Sequence, residues 1–370
     1  MRILITGSDG FIGKNLTVRL AELGHTDITR ITRETTADEL KSAVKDADFV
    51  FHLAGVNRPK TVDEFATGNA GFTEQLCQAL VTSGRPVPVV FASSTQAAND
   101  NPYGHSKQAA ETALQSYAAE TGASVNIFRL TNVFGKWSRP NYNSAVATFC
   151  HQVANSQPLT IHDRAAALRL VYIDDVIDAF IKVLEAPKPG YQFADVETVY
   201  DTTVGDVAAL LESFPASRSN LVVPPVGSGL TRALHSTYLS FLKPEAFAYT
   251  VPRHSDPRGE FVEMLKTGNS GQLSYFTAHP GITRGEHYHH SKTEKFLVIR
   301  GTARYGFRHV ITNEVHEIIS RGGEGHIVET VPGWAHDVTN IGTDELIVML
   351  WANEIFDRAK PDTIARKVAP

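Results

Sequence analysis

The sequence predicts a two-part chain: a doubly wound parallel α/β sheet followed by an all-β barrel or jelly roll. Three observations predict it. The chain has 370 residues, more than one hydrophobic core usually serves. Up to about Leu184, short apolar runs alternate with helical patterns, the signature of strand–helix–strand units. Beyond about Ala248, short β-type runs separated by Gly, Asn and Asp turns replace them.

Each element has its own reason. "RILIT", "DFVFHLA", "VPVVFAS" and "VNIFRLT" are almost continuously apolar, as strands of a sheet covered on both faces must be. The stretches Gly13–Gly24 and Tyr103–Gly122 have helical spacing and each ends at a glycine. Pro, Gly and Ser crowd the segment from Phe214 to Pro244, which reads as the exit from the first domain and a linker. The expected domains are therefore 1–243 and 244–370. In the second, "GQLSYFTA", "EKFLVIRGTARYGFRHV", "HEIIS", "GHIVETV" and "ELIVMLWA" supply the strands.

Composition narrows the class. The chain is 42% hydrophobic and 20% charged, ordinary for a soluble globular protein. A net charge of −5 without any Lys/Arg block excludes a nucleic-acid footprint. No run reaches the ~18 apolar residues of a membrane helix, and "MRILITG" opens on a strand rather than a signal peptide. The expectation is a cytoplasmic protein with no membrane partner. Cys77 and Cys150 lie far apart and outside any CxxC spacing, so buried apolar roles are expected.

The first candidate site begins at "GSDGFIG", which places Gly7, Gly10 and Gly13 between a first strand and a first helix. The glycines permit a tight turn, close approach of backbone to a pyrophosphate, and close helix–strand packing. Where NAD sites carry an acid after the second strand, this chain has "ITRITRETT". Arg33, and less directly Arg30, suits a 2′-phosphate because a guanidinium pairs with phosphate through parallel hydrogen bonds. NADPH is the expected cofactor. Further on, Tyr103 and Lys107 are four apart at a helix start, on one face. An ammonium beside a phenol lowers its pKa. Such a tyrosine can protonate a ketone oxygen as hydride arrives. Ser94 can hold the same oxygen, with Ser93 and Thr95 adjacent.

In order, "GSDGFIG", "FHLAG", "YGHSK", "RLTNVFG" and "LVYIDDV" resemble the motifs of extended short-chain dehydrogenases/reductases over residues 1 to about 185. The resemblance implies a Rossmann-type fold and a nucleotide-sugar substrate. It implies catalytic roles for Ser94, Tyr103 and Lys107, and cofactor contacts from Phe11, Ile12, Leu53, Ala54 and Lys107. Relatives that eliminate water carry an Asp-Glu pair after the catalytic hydroxyl. Here Thr95 and Gln96 follow Ser94, and an amide cannot act as an acid, so plain ketone reduction is expected. Asn132, Lys136, Asn141, Asn143 and Arg169 are candidates for holding sugar and pyrophosphate.

The second candidate site lies in "GEHYHHSKTEKF". His287 and His289, at i and i+2 on a strand, share a face. Glu294 follows across a short turn, and His336 in "PGWAHDVTN" completes three imidazoles and a carboxylate, a catalytic-type metal set. His290 is expected to point away. These residues resemble the two motifs of the cupin family across about 250 to 370. One departure is that Pro332 stands four rather than five residues before His336. Zn, Mn, Fe and Ni all accept such a set. Lys292, Tyr275, His290 and Asp337 are candidate proton-transfer groups.

The whole chain resembles bifunctional enzymes of capsular-polysaccharide synthesis. That resemblance implies a UDP-linked 4-keto-6-deoxy-HexNAc substrate on the route to UDP-N-acetyl-L-fucosamine. It also implies zinc in the cupin and NADPH in the reductase, and the resemblance to cupins, whose barrels often pair through their β-sheets, implies a homodimer. The expected order is C3 epimerisation by the cupin, then C4 reduction. The alternative is a reductase whose cupin serves only for metal-stabilised dimerisation.

Overall fold

The computed structural model describes residues 1–369. They divide into two compact units. One comprises Met1–Leu211 with Arg232–Leu242, the other Glu212–Thr231 with Lys243–Pro370.

The first unit holds β1 (Ile3–Thr6), β2 (Ile28–Ile31), β3 (Phe49–His52), β4 (Val89–Ser94), β5 (Ser124–Leu130), β6 (Asn132–Phe134), β7 (Ala167–Tyr172), β8 (Gly190–Phe193) and β9 (Tyr200–Thr203). Six of them form a sheet in the order β2-β1-β3-β4-β5-β8, parallel at every pairing. Every residue of β1 and β3 is buried, as the apolar runs require. Leu4, Val50, Val89 and Phe91 enter the core on one face; Ile3, Ile5, Phe49, Phe51 and Val90 enter the core on the other. This is the Rossmann-type doubly wound architecture. Its order reverses between β1 and β3, and open α/β sheets bind ligands beyond strand ends at such a point.

Helices cover the sheet: α1 (Phe11–Glu22), α2 (Ala37–Asp46), α3 (Asp63–Phe65), α4 (Phe72–Thr82) and α5 (Pro102–Thr121) among them. A π-helical turn, Ala66–Gly71, joins α3 to α4. Gly122, at φ +73°, stops α5 in the left-handed conformation glycine favours.

The second unit holds β10 (Val222–Val223), β11 (Arg253–Asp256), β12 (Gly259–Thr267), β13 (Gly271–Ala278), β14 (Thr283–Tyr288), β15 (Glu294–Arg300), β16 (Thr302–His309), β17 (Val315–Arg321), β18 (Ile327–Glu329), β19 (Trp334–Asn340), β20 (Leu346–Ala352) and β21 (Ile364–Ala365). One sheet runs β10-β12-β13-β20-β15-β18, with β11 on β12; the other runs β17-β16-β19-β14-β21. Phe276, Phe296, Val298 and Val348 of the first pack with Ala303, Tyr305, Phe307 and Val338 of the second. The cupin-like barrel follows from that alternation of inward apolar residues.

The segment Phe214–Pro244 differs from the linker expected of it. It contains β10, which pairs with β12, and a helix, Gly229–Leu239, that buries Ala233, Leu234, Thr237 and Tyr238. The helical spacing of those four residues outweighs the Pro/Gly-rich flanks that suggested a linker.

Candidate functional site

The nucleotide turn is built by exclusion. Gly7 has φ +70°, and a Cβ there would meet the Ala54 Cα at 2.8 Å. A Cβ on Gly13 would lie 2.4 Å from the Gly7 carbonyl oxygen. Gly10 caps α1 without a side chain, so the free N–H groups of the first turn can face a phosphate. A cavity of about 1620 Å³ opens over the turn, with Gly7, Gly10, Phe11, Ile12, Gly13, Leu53 and Ala54 on its wall. Arg33 lines it too, and Arg30 does not. Glu34, which sequence reasoning passed over, sits next to Arg33 on the same wall.

Sequence reasoning also passed over His52, whose ring fixes the β3 end of this cradle. His52 is fully buried, and burial pushes its pKa down to about 3, so the ring is neutral. Thr73 donates to the Asn69 carbonyl, so His52 Nε2–H donates to Thr73 Oγ1 at 2.8 Å. Nδ1 therefore accepts from Thr6 Oγ1 at 2.7 Å. Thr6 Oγ1 in turn accepts the Leu53 and Ala54 N–H groups, which pins these two residues against Gly7.

The same cavity holds Ser94, Tyr103 and Lys107. Pro102 and the Asn101 side chain, which accepts from Gly104 N–H at 2.8 Å, start α5 so that Tyr103 stands in its first turn. Ser93 and Ser94 both line the cavity, but Ser93 is buried and donates to Glu111 Oε1 at 2.5 Å, while Ser94 is only partly buried. Lys107 is 4% exposed, donates to the Ala92 carbonyl at 3.0 Å and lies 4.8 Å above the Phe91 ring. Burial pushes its pKa down to about 8, against the upward pull of the Glu111 carboxylate. The expectation that Lys107 lowers the Tyr103 phenol is corrected: burial raises Tyr103, and the Ser94 hydroxyl provides the opposing pull. Desolvation of the phenolate outweighs a lysine whose hydrogen bond goes to backbone.

Of the sugar-contact candidates, Asn132 and Asn143 line the cavity. Lys136, Asn141 and Arg169 are not on its wall. Lys136 pairs with Asp174 at 2.5 Å, Asn141 N–H donates to Thr148, and Arg169 approaches Asp201 at 3.6 Å. Arg58 and Arg139 also line it, with their guanidinium carbons 5.6 and 5.3 Å from the centre of the Tyr142 ring. Neither stands in a motif.

In the second unit, β14 and β19 pair with a register shift between Gly285 and His287, where Glu286 takes φ +61°. Such a bulge re-aims the following side chains. It brings His287 opposite His336, ring centroids 4.6 Å apart. The ligand atoms of His287, His289, Glu294 and His336 lie within 4.8 Å of one another. Glu294 Oε2 is 3.3 Å from His289 Nε2 and 3.4 Å from His336 Nε2, while Oε1 is 2.9 Å from Lys292 Nζ. Burial opposes ionisation of Glu294, but His289, His336 and Lys292 outweigh it and hold the carboxyl below its usual range. Burial and the neighbouring His336 push His287 down to about 4. His336 Nε2 is buried with no hydrogen-bond partner. Three imidazoles, an ionised carboxylate and a buried ring nitrogen free to donate its lone pair form a donor set that fits a divalent cation. Of the four proton-transfer candidates, Lys292 is buried against the set. His290 is exposed, Asp337 pairs with Arg304 at 3.0 Å, and Tyr275 alternates with the core residue Phe276. Among the described residues, no helix is long and apolar enough to cross a membrane.

Residues 3–197 match the NAD dependent epimerase/dehydratase family, and residues 254–364 match the polysaccharide biosynthesis C-terminal domain. The chain belongs to the NAD dependent epimerase/dehydratase family, and within it to the two-domain CapF type. One curated relative, UDP-2-acetamido-2,6-beta-L-arabino-hexul-4-ose reductase of Pseudomonas aeruginosa, is 55% identical over 100% of this chain and 99% of its own. The crystal structure of the capsular polysaccharide assembling protein CapF from Staphylococcus aureus is 39% identical, covers 100% of both chains and superposes with a TM-score of 0.92. A CapF structure with the inhibitor 3-isopropenyl-tropolone is 35% identical over 100% of both chains, with a TM-score of 0.87.

Proposed function

We propose that the chain is a bifunctional nucleotide-sugar enzyme. Its cupin unit epimerises C3 of a UDP-linked 2-acetamido-2,6-dideoxy-4-hexulose, and its first unit then reduces C4 with NADPH, on the route to UDP-N-acetyl-L-fucosamine for capsule or O-antigen. The observation that carries this reading is a three-histidine, one-glutamate set in the same chain as a Ser94–Tyr103–Lys107 cavity. The relative that reduces a 4-ulose supports the substrate class.

The chemistry orders the steps. The C3 hydrogen of a 4-ketone is acidic because the resulting carbanion delocalises into the carbonyl. Its removal, and return of a proton to the opposite face, inverts C3. A divalent cation, zinc in this proposal, would be held by His287, His289, Glu294 and His336 and would supply charge stabilisation for the carbonyl oxygen. Reduction ends that acidity, so epimerisation precedes it. A reduced nicotinamide held over the turn of Gly7, Gly10 and Gly13 would supply the hydride to C4. Tyr103 Oη gives its proton to O4, Ser94 Oγ orients that oxygen, and the Lys107 ammonium adds positive charge to the same cavity wall. Arg58 and Arg139 suit the substrate diphosphate.

Arg33 supports NADPH over NADH. Arg33→Ala is expected to raise KM for NADPH by about 10- to 100-fold and to change KM for NADH little. Equal effects on both cofactors in steady-state assays contradict that role. Lys107 gives a pH expectation. Its charge is lost as pH rises through about 8. Glu111→Gln removes the anion that holds this value up, so the alkaline limb of kcat/KM should begin at lower pH than in the parent chain. An unmoved limb separates Glu111 from the charge of Lys107.

The alternative, a reductase whose cupin only aids a cytoplasmic homodimer, draws on the relative being named for reduction alone. It requires that no label enter C3 from solvent when the 4-keto sugar is incubated with the metal-loaded chain.

A further inference from the structure

A second layer stands behind the metal set, supplied by a segment far away in sequence. β21 pairs with β14 at the ligand: Ala365 lies opposite His287 and Ile364 opposite Tyr288. Two residues before β21, Asp362 is committed twice. Its backbone carbonyl accepts from His289 Nδ1, across 73 residues of chain. Its carboxylate accepts the N–H groups of His290, Ser291 and Lys292 at 2.9, 2.7 and 2.8 Å, and the Ser291 hydroxyl at 3.0 Å. That loop carries Lys292, whose ammonium holds Glu294 Oε1 at 2.9 Å and leaves Oε2 facing His289 and His336. The segment thus touches His287 through strand pairing, His289 directly, and Glu294 through Lys292.

We propose that Asp362 is a positioning residue for the metal centre, fixing the ring orientation of His289 and, through the 290–292 loop, the carboxylate of Glu294. The physical logic is that of outer-shell partners in general. A carbonyl that takes Nδ1–H leaves Nε2 as the lone-pair donor, and holding a loop rigid removes the entropy a ligand otherwise loses on binding. The inference rests on the reading of the four residues as a metal set.

The test is zinc affinity of the full chain, measured by competition with a chromophoric chelator, alongside the visible spectrum of the cobalt(II)-loaded protein. Asp362→Ala is expected to weaken zinc binding by about 10- to 100-fold and to change the cobalt spectrum. Asp362→Asn keeps an oxygen for the loop and should restore part of the affinity. NADPH binding to the first unit should be unchanged in both. A purely structural role would lower the melting temperature of the metal-free chain and leave the zinc affinity of the folded protein intact. If Asp362→Ala does not fold, Lys292→Met decides, since it cuts the link to Glu294 and leaves the loop anchored. Parent-like zinc affinity and cobalt spectrum in Asp362→Ala, or in both Asp362→Asn and Lys292→Met, overturn the proposal. A parent chain that binds no zinc overturns the metal reading beneath it.

Discussion

Tyr103→Phe should lower kcat for C4 reduction by about 10²- to 10⁴-fold, the range for losing a positioned general acid, with little change in the affinity for NADPH. The variant removes one oxygen from a side chain in the first turn of α5 whose ring also packs 5.5 Å from Phe65. The ring contact survives the substitution, so the fold is expected to hold and the loss to sit in kcat. Stopped-flow oxidation of NADPH with the 4-keto sugar measures it. Because burial raises the Tyr103 phenol, the protonated form dominates at neutral pH, as an acid donating to O4 requires. A variant that reduces the ketone within a few fold of the parent places the acid elsewhere.

His336→Ala should abolish exchange at C3 and spare reduction of a substrate already epimerised. His336 is 3% exposed and its Nε2 lies 3.4 Å from Glu294 Oε2. Removing it leaves Glu294 ionised in a buried place with one fewer compensating group. The expected consequence is a fall in metal content, read by elemental analysis, together with loss of C3 label uptake to the uncatalysed level. Chelation of the parent chain should reproduce the effect, and re-addition of the metal should reverse it in the parent only. Loss of both activities together would mean that the two units do not act on separate steps.

What the sequence made legible were features with one physical cause. Gly7 and Gly13 admit no Cβ, so their spacing carried the turn. The four candidate ligands were readable because residues two apart on a strand share a face. The bulge at Glu286 that brings His287 opposite His336 was not readable, since it depends on the register of a distant partner strand. Asp362 was invisible for the same reason, being separated from His289 by 73 positions. On the cavity wall, Arg58, Arg139 and Glu34 come from irregular segments without a motif. Lys136 and Arg169 were chosen for polarity alone, and each has an acidic neighbour outside the cavity. The helix α2 could have been found: Thr36 and Glu39 form a capping box, three residues apart as that signal demands. The helix Gly229–Leu239 was hidden by the Pro and Gly around it.

The central claim is that two consecutive reactions at one carbonyl are divided between the two units. The most direct measurement is deuterium uptake at C3 from heavy water, by Tyr103→Phe loaded with zinc and given the UDP-linked 4-keto sugar without any nicotinamide. The account predicts uptake at the parent rate, and none when His336→Ala is added to the same chain. Uptake that persists in that double variant, or fails in Tyr103→Phe alone, contradicts it.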